Sequence, residues 1–219
     1  GDIVVALGQD GLVSNTAKYL DGQPLIGVNP DPELYDGILL PFRAETAGQA
    51  LAACLRGRAR LREVSMGRVS TRDGQELLAF NDFFIGADSH VSARYEIEWR
   101  DRAEFQSSSG IIVSTGAGST GWLRSVYQGA AGLAAALGQP APSLPAPLPW
   151  DAPHLIFSVR EPFPSRATGC AVTYGEASQE APLLLRSQMA EGGIAFSDGV
   201  AADFIQFNAG CELRVEPAA

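Results

Sequence analysis

Residues Ile111 to Trp122 read Ile-Ile-Val-Ser-Thr-Gly-Ala-Gly-Ser-Thr-Gly-Trp, and no other stretch limits the possible folds so strongly. Three apolar residues run into a loop of three glycines with hydroxyls between them. The Ala- and Leu-rich segment that follows, Leu123 to Leu137, is expected to be a helix. A turn of this kind lets backbone N–H groups approach a phosphate closely, because no Cβ stands in the way. Gly116, Gly118 and Gly121 spell G-x-G-x-x-G. The dinucleotide fold that uses this fingerprint also needs a second strand ending in an acid about 20 residues on. Here the helix gives way to Gly138-Gln139-Pro140-Ala141-Pro142-Ser143-Leu144-Pro145, a proline-broken loop with neither strand nor acid. A Rossmann unit is excluded at this point, and the loop must serve another architecture.

Composition narrows the alternatives. A chain of 219 residues, 46% apolar, can bury one large core or two smaller ones. No apolar run approaches the ~20 residues of a membrane span, so no membrane partner is expected. A net charge of −9 argues against nucleic acid, which calls for a basic face. Any phosphate ligand must then be held locally, by backbone amides and a few arginines. Lys18 is the only lysine among 16 basic residues, and it lies outside any P-loop pattern. No protein-kinase lysine is available either. Cys54, Cys170 and Cys211 are odd in number and far apart, and His90 and His154 have no metal-ligand spacing. No disulfide framework and no protein-borne metal site are expected. Free thiols fit a reducing compartment, the cytoplasm, or the mitochondrial matrix if the source is eukaryotic.

Along the chain, Asp2 to Leu7 reads as a strand buried on both faces of a parallel sheet. It opens onto Gly8-Gln9-Asp10-Gly11, then a helix over Leu12–Leu20, then a strand over Pro24–Val28, a βαβ unit. Ala47–Leu55 reads as a second helix, with Ala50, Leu51, Cys54 and Leu55 at helical spacing. The texture changes near Gly57. Arg58, Arg60 and Arg62 alternate with other residues, and period 2 continues to Thr71. That alternation reads as the solvated face of a sheet, and Asp73-Gly74 as a hairpin turn. Short strands are expected around 83–86, 93–99, 111–114, 155–159, 171–174, 183–186, 194–196, 204–207 and 212–215.

The expected fold class is therefore α/β plus all-β. A Rossmann-like α/β domain occupies residues 1–57 and a β-sandwich-like domain residues 58–219. Two strands cannot cover their own sheet, and the sequence opens inside a strand. Preceding βα units are accordingly expected to be missing, and this form alone to be a poor enzyme.

Gly8-Gln9-Asp10-Gly11 falls at the carboxyl end of a parallel strand and the start of a helix, where open α/β sheets bind ligands. The helix end offers unpaired N–H groups to phosphate, and a carboxylate among them can orient or deprotonate a hydroxyl. The plainer alternative is that Asp10 only caps the helix. Asn81-Asp82 joins two strands, either as a simple turn or as a contact for ribose and base. Asp198-Gly199 reads as a hairpin turn.

Taken together, Gly8-x-Asp10-Gly11, Asn81-Asp82 and Gly118-Ser119-Thr120 resemble the NAD kinase family in order and approximate spacing. That family shows Gly-Gly-Asp-Gly, Asn-Glu and a Gly-Ser-Thr-Ala-Tyr-like loop. The mitochondrial type is the more similar, through Ile26–Pro32, Asn81–Gly86, Ser108-Ser109-Gly110, Thr115–Ser119, Ser158–Pro162 and Asp198-Gly199. The resemblance implies an α/β domain, a β-sandwich domain and an active site in the cleft between them. It implies transfer of a phosphoryl group from ATP, with Mg²⁺, to the 2′-hydroxyl of the adenosine ribose of NAD. Asp10 would orient or deprotonate that hydroxyl, while Gly8 and Gly11 would let the loop approach phosphates. Asn81 and Asp82 would contact the dinucleotide, together with Ser109, which stands where many members carry aspartate. Thr120, Gly121 and Trp122 would shape a base or nicotinamide pocket. The partners are then small-molecule nucleotides and further copies of the chain in a homo-oligomer, a dimer. Phosphoryl transfer depends mostly on positioning and charge stabilisation, so a site without lysine is chemically sound.

Several positions depart from the family pattern. Gln9 replaces a glycine, Asp82 is one methylene shorter than glutamate, Ala117 lacks a hydroxyl, and Gly121-Trp122 replaces Ala-Tyr. Gln9 and Ala117 motivate a second reading, a dinucleotide- or nucleotide-binding protein of the same fold with weak catalysis. A related kinase acting on a sugar or lipid hydroxyl is a variant of the first. Ala117–Gly121 also imitates the nucleophile elbow of a serine hydrolase, although only His154 lies downstream and no oxyanion glycine run is present.

Overall fold

The structure, a computed structural model, describes residues 2–140, 143–200 and 202–218. The chain divides into two compact units, Gly1–Glu63 and Val64–Ala219, with the boundary a few residues beyond position 57.

The smaller unit contains β1 (Val4–Leu7), α1 (Asp10–Ala17), β2 (Leu25–Asn29), β3 (Phe42–Arg43) and α2 (Ala44–Leu55). Its strands run parallel in the order β1-β2-β3, with Val4 opposite Leu25 and Val28 opposite Phe42. Ala6, Val13 and Leu40 form a small core with Leu25 and Leu39 against it. Gly27 is needed because a Cβ there would lie 2.0 Å from the Leu39 carbonyl oxygen. Asn29 is buried and shapes the Asn-Pro-Asp-Pro loop. Its amide donates to the Tyr35 carbonyl and its Oδ1 accepts the Asp31 N–H, both at 3.0 Å.

Two expectations change here. Val5 and Leu7 are about half exposed, so β1 is not buried on both faces; like β3, it is an edge strand of this sheet. Helix α2 begins earlier than expected, where the Arg43 N–H donates to Thr46 Oγ1 at 3.0 Å. Its apolar positions are at most partly buried, and Leu55 is exposed.

The larger unit holds two six-stranded antiparallel sheets. One runs in the order β11 (Tyr174–Ala177), β10 (Leu155–Val159), β9 (Ile111–Ser114), β6 (Asp82–Ala87), β13 (Gly193–Ser197), β14 (Phe204–Gln206). The other runs β5 (Glu76–Ala79), β4 (Gly67–Thr71), β15 (Glu212–Pro217), β12 (Leu183–Ser187), β7 (Ala93–Trp99), β8 (Arg102–Ser108). Alternate residues of both sheets point into one core. Phe83, Ile85, Val113 and Phe157 come from the first sheet, and Val69, Ile97, Leu185 and Leu213 from the second. The two sheets and their shared core make a β-sandwich. A 3₁₀ turn (Ala117–Thr120) and α3 (Trp122–Ala136) follow β9. No regular element intervenes between α3 and β10 among the described residues, and Ala141 and Pro142 of that proline-rich loop lie outside them.

Three local differences from the sequence expectations have physical causes. Residues 58–66 are irregular, and the strand begins only at Gly67, where pairing with Pro217 starts. Strand β8 was not expected because its polar residues lack clean alternation. Its hairpin turns on Arg100 at φ 56°, without the usual Asn-Gly or Asp-Gly signal. The expected strand at 171–174 begins only at Tyr174. The preceding segment instead covers edge strand β8: Gly169 N–H donates to the Phe105 carbonyl, and the Glu104 carboxylate accepts the N–H groups of Ala171 and Val172.

A buried polar chain links this edge to the interior. The Tyr95 hydroxyl, fully buried, donates to Gln106 Oε1 at 3.1 Å and lies 2.6 Å from Ser108 Oγ. Gln106 Nε2 donates to the Val172 carbonyl, and Ser108 Oγ accepts the Gly110 N–H. Tyr95→Phe leaves two buried polar groups short of a partner and is expected to cost about 1–3 kcal/mol. Urea unfolding measures it, and an unchanged midpoint would show that the hydroxyl contributes nothing.

Candidate functional site

In the smaller unit, the chain leaves β1 at Leu7 and the Gly8 N–H still pairs with the Val28 carbonyl at 3.2 Å. Gln9 is extended and occupies the N-cap position, without a side-chain cap bond. Asp10 is the first residue of α1. Its carboxylate does not cap its own helix; Oδ1 accepts the Leu39 N–H at 2.5 Å and ties the helix start to the loop before β3. A Cβ on Gly11 would meet nothing within 4 Å, so the first turn of α1 is open on that side. At Gly8 a Cβ would meet only the flexible Leu12 side chain. The arrangement offers the free amides of a helix N-terminus beside one oriented carboxylate.

In the larger unit, the Gly-rich loop is fastened to the corner Phe80-Asn81-Asp82. Thr115 Oγ1 donates to the Phe80 carbonyl at 2.6 Å and accepts the Gly118 N–H at 3.2 Å. The Thr115 N–H donates to the Asn81 carbonyl at 2.9 Å. A Cβ on Gly118 would lie 2.2 Å from that carbonyl oxygen, and one on Gly116 would lie 1.8 Å from the Pro149 oxygen. Those two glycines are thus required by the protein's own backbone. Gly121, by contrast, is exposed, with no atom nearer than 3.4 Å to the place of a Cβ.

Ser119 is 7% exposed; its hydroxyl donates to the Gly116 carbonyl at 2.7 Å and accepts the Leu148 N–H at 3.0 Å. With both partners on the backbone and no imidazole between them, it is not an activated nucleophile, and the hydrolase alternative falls.

Asp198 does more than turn a hairpin. It sits at φ 52° after β13, and its carboxylate accepts the N–H groups of Phe80 (2.9 Å), Asn81 (2.6 Å) and Asp82 (3.3 Å). Nothing local in the sequence around Asp198 signals a bond to residues more than a hundred positions away. Asp82 is half-buried with its Oδ1 enclosed, and burial pushes its carboxyl up to about 7; the Ser114 hydroxyl opposes this and the adjacent Asp198 charge adds to it.

A group that binds its proton more tightly when folded stabilises the fold at low pH. That contribution is complete below about 4, the ordinary range of the unfolded carboxyl, and fades as pH rises through about 7. Asp82→Asn is therefore expected to raise stability at pH 8 by up to ~4 kcal/mol relative to the parent, and by much less at pH 4. Thermal unfolding at both pH values measures this, and an equal shift at the two would contradict it.

Beside the corner lies a stack of rings. Trp122 lies flat on Phe84 (5.9 Å between centroids, 9° between planes), Phe84 leans on Phe196 at 5.3 Å, and the Arg160 guanidinium lies 5.7 Å from the Trp122 ring. Arg160 also accepts the Ser109 N–H on its carbonyl at 2.9 Å. The structure thus gathers Asn81, Asp82, Gly121, Trp122 and Ser109 around one loop, with the exposed Thr120 beside them. Arg160, Phe84 and Asp198 belong to the same cluster but were not among the candidate site residues. Gly8, Asp10 and Gly11 form the corresponding group in the smaller unit.

No family model matches the sequence, and no curated protein matches it. The backbone is more informative. A parallel α/β unit followed in sequence by an antiparallel two-sheet unit defines an α/β plus β-sandwich class of fold. More particularly, it is the fold of the NAD kinases. The crystal structure of yeast NADH kinase complexed with NADH matches with a TM-score of 0.72 at 16% identity, covering 100% of this chain and 59% of that one. An NAD kinase from Archaeoglobus fulgidus in complex with ATP matches at 0.65 and 19% identity, covering 99% of this chain and 74% of that one. The chain therefore spans little more than half of the yeast chain's length.

Proposed function

We propose that this protein is an NAD kinase, transferring the terminal phosphoryl group of ATP to the 2′-hydroxyl of the adenosine ribose of NAD. The observation that carries the reading is the backbone match to an NADH kinase and an NAD kinase along essentially the whole of this chain. The residue chemistry agrees with it. Asp10, held at the N-terminus of α1 by the Leu39 N–H, accepts the proton of the attacking hydroxyl through its carboxylate. The open turn at Gly8 and Gly11 lets the first amides of α1 approach phosphate oxygens. Asn81, Asp82 and Ser109 contact the dinucleotide, and Thr120, Gly121 and Trp122 line the place of its base.

Among the described residues no group of three His, Cys, Asp or Glu could hold a metal ion. Mg²⁺ would then arrive with the triphosphate and neutralise charge on the transferred group, as this ion commonly does with few protein ligands. No described helix is long and apolar enough to cross a membrane.

Formation of NADP from NAD and Mg-ATP, followed with an NADP-specific dehydrogenase, tests the reading. The exposed Gln9 side chain at the phosphate-facing loop favours one alternative, a nucleotide-binding protein of this fold with weak catalysis. Tight NAD binding without turnover, rescued by Gln9→Gly, would support that alternative. Phosphorylation of a sugar or lipid hydroxyl in place of NAD would move the substrate class and keep the fold.

A further inference from the structure

Two carboxyl groups meet at the Phe80–Asp82 corner, and their surroundings differ sharply. Three backbone N–H groups converge on Asp198, which makes it the member of the pair suited to carry negative charge. Asp82 has only the Ser114 hydroxyl to set against its burial. Its Oδ1 is buried with no hydrogen-bond partner, a costly arrangement for an ionised oxygen. Its Oδ2 faces Gly121, 4.0 Å from where a Cβ would stand, and Gly121 is exposed. The neighbours of Asp82 include the uncharged Ser114 of β9, Gly121 of the loop, and Asp198 just after β13. Of these only Asp198 brings charge.

We propose that the enclosure of Asp82, with Asp198 beside it, favours its protonated form, so that Asp82 presents an O–H donor beside Gly121 to an acceptor atom of the ligand. The acceptor is a carbonyl oxygen or an unprotonated ring nitrogen of the dinucleotide. The inference rests on the dinucleotide-binding reading for its ligand, but not for the state of the carboxyl pair. A carboxylate kept neutral beside an ionised partner is a recurrent way of making an acid donate a hydrogen bond at neutral pH. Glutamate would reach one methylene further and lift its carboxyl off the corner that Asp198 organises. Asp198 is thus a positioning residue: it shapes the corner and adds its charge to the effect of burial on its neighbour.

The test has two arms on the intact protein. In the first, aspartate carboxyl carbons are labelled with carbon-13, the Asp82 signal is identified by its loss in Asp82→Asn, and pH is varied. The expected midpoint is about 7, moving down in Asp198→Asn; a midpoint in the ordinary carboxylate range of about 4 overturns the proposal. Should Asp198→Asn fail to fold, the parent titration decides alone. In the second arm, NAD binding is measured by calorimetry. Affinity is expected to fall roughly tenfold from pH 6 to pH 8, and Asp82→Asn to abolish that slope. A flat or rising affinity alongside a midpoint near 7 overturns the donor role. If NAD binds at no pH, the kinase reading fails, and the carboxyl titration still decides whether Asp82 is protonated.

Discussion

Asp10→Asn is expected to lower single-turnover NADP formation by ~10²–10⁴, the usual cost of losing a general base, with NAD affinity kept within a few fold. Asparagine preserves the size of the side chain and an oxygen for the Leu39 N–H, so the start of α1 keeps its tie to the loop before β3. It cannot take the proton of the attacking hydroxyl. Rapid-quench kinetics and calorimetric NAD titration separate the two effects. A rate loss below about tenfold assigns the carboxylate to holding Leu39 and not to chemistry. A collapse of NAD binding in a folded protein makes it a ligand-positioning group.

Gly118→Ala is expected to cost about 3 kcal/mol, at the upper end of the usual range for overpacking, and to weaken NAD binding at least tenfold. The new methyl would lie 2.2 Å from the Asn81 oxygen, 2.6 Å from its carbonyl carbon and 2.8 Å from Ser114 Oγ. Two of those atoms are backbone in the middle of a hydrogen-bonded corner, so the loop must lift away from Asn81 and Asp82. Gly129→Ala on α3 supplies the contrast. Nothing lies within 4 Å of its Cβ position, and the helix should gain about 0.5–1 kcal/mol. Urea unfolding of both variants gives the comparison, and equal midpoints would show that the loop yields without cost.

Much of the larger unit can be read from the chain. The limits of β7, β9 and β10 coincide with runs of β-branched and aromatic residues that alternate or stay apolar throughout, because a sandwich core imposes period 2 on strands wherever they lie. Strand β8 and the irregular stretch 58–66 escape this rule for opposite reasons. The first is a polar edge strand held mainly by backbone pairing with β7. The second carries alternating arginines that find no neighbouring strand.

Residue types and their order along the chain determined that a carboxylate would stand at the first βα turn, and that a hydroxyl-rich glycine loop would follow a buried strand. Both are local patterns, set by what a helix start and a tight turn demand. Tertiary structure decided what those residues do. It showed that Gly116 and Gly118 make room for the protein's own carbonyls and leave Gly121 the open one. It turned Asp198 from a hairpin residue into the acceptor of three amides on a distant corner, and by burial, with that charge beside it, raised the proton affinity of Asp82. A carboxyl's charge state depends on burial and on charges brought near by folding. Neither quantity is a property of the sequence until the sheets have closed.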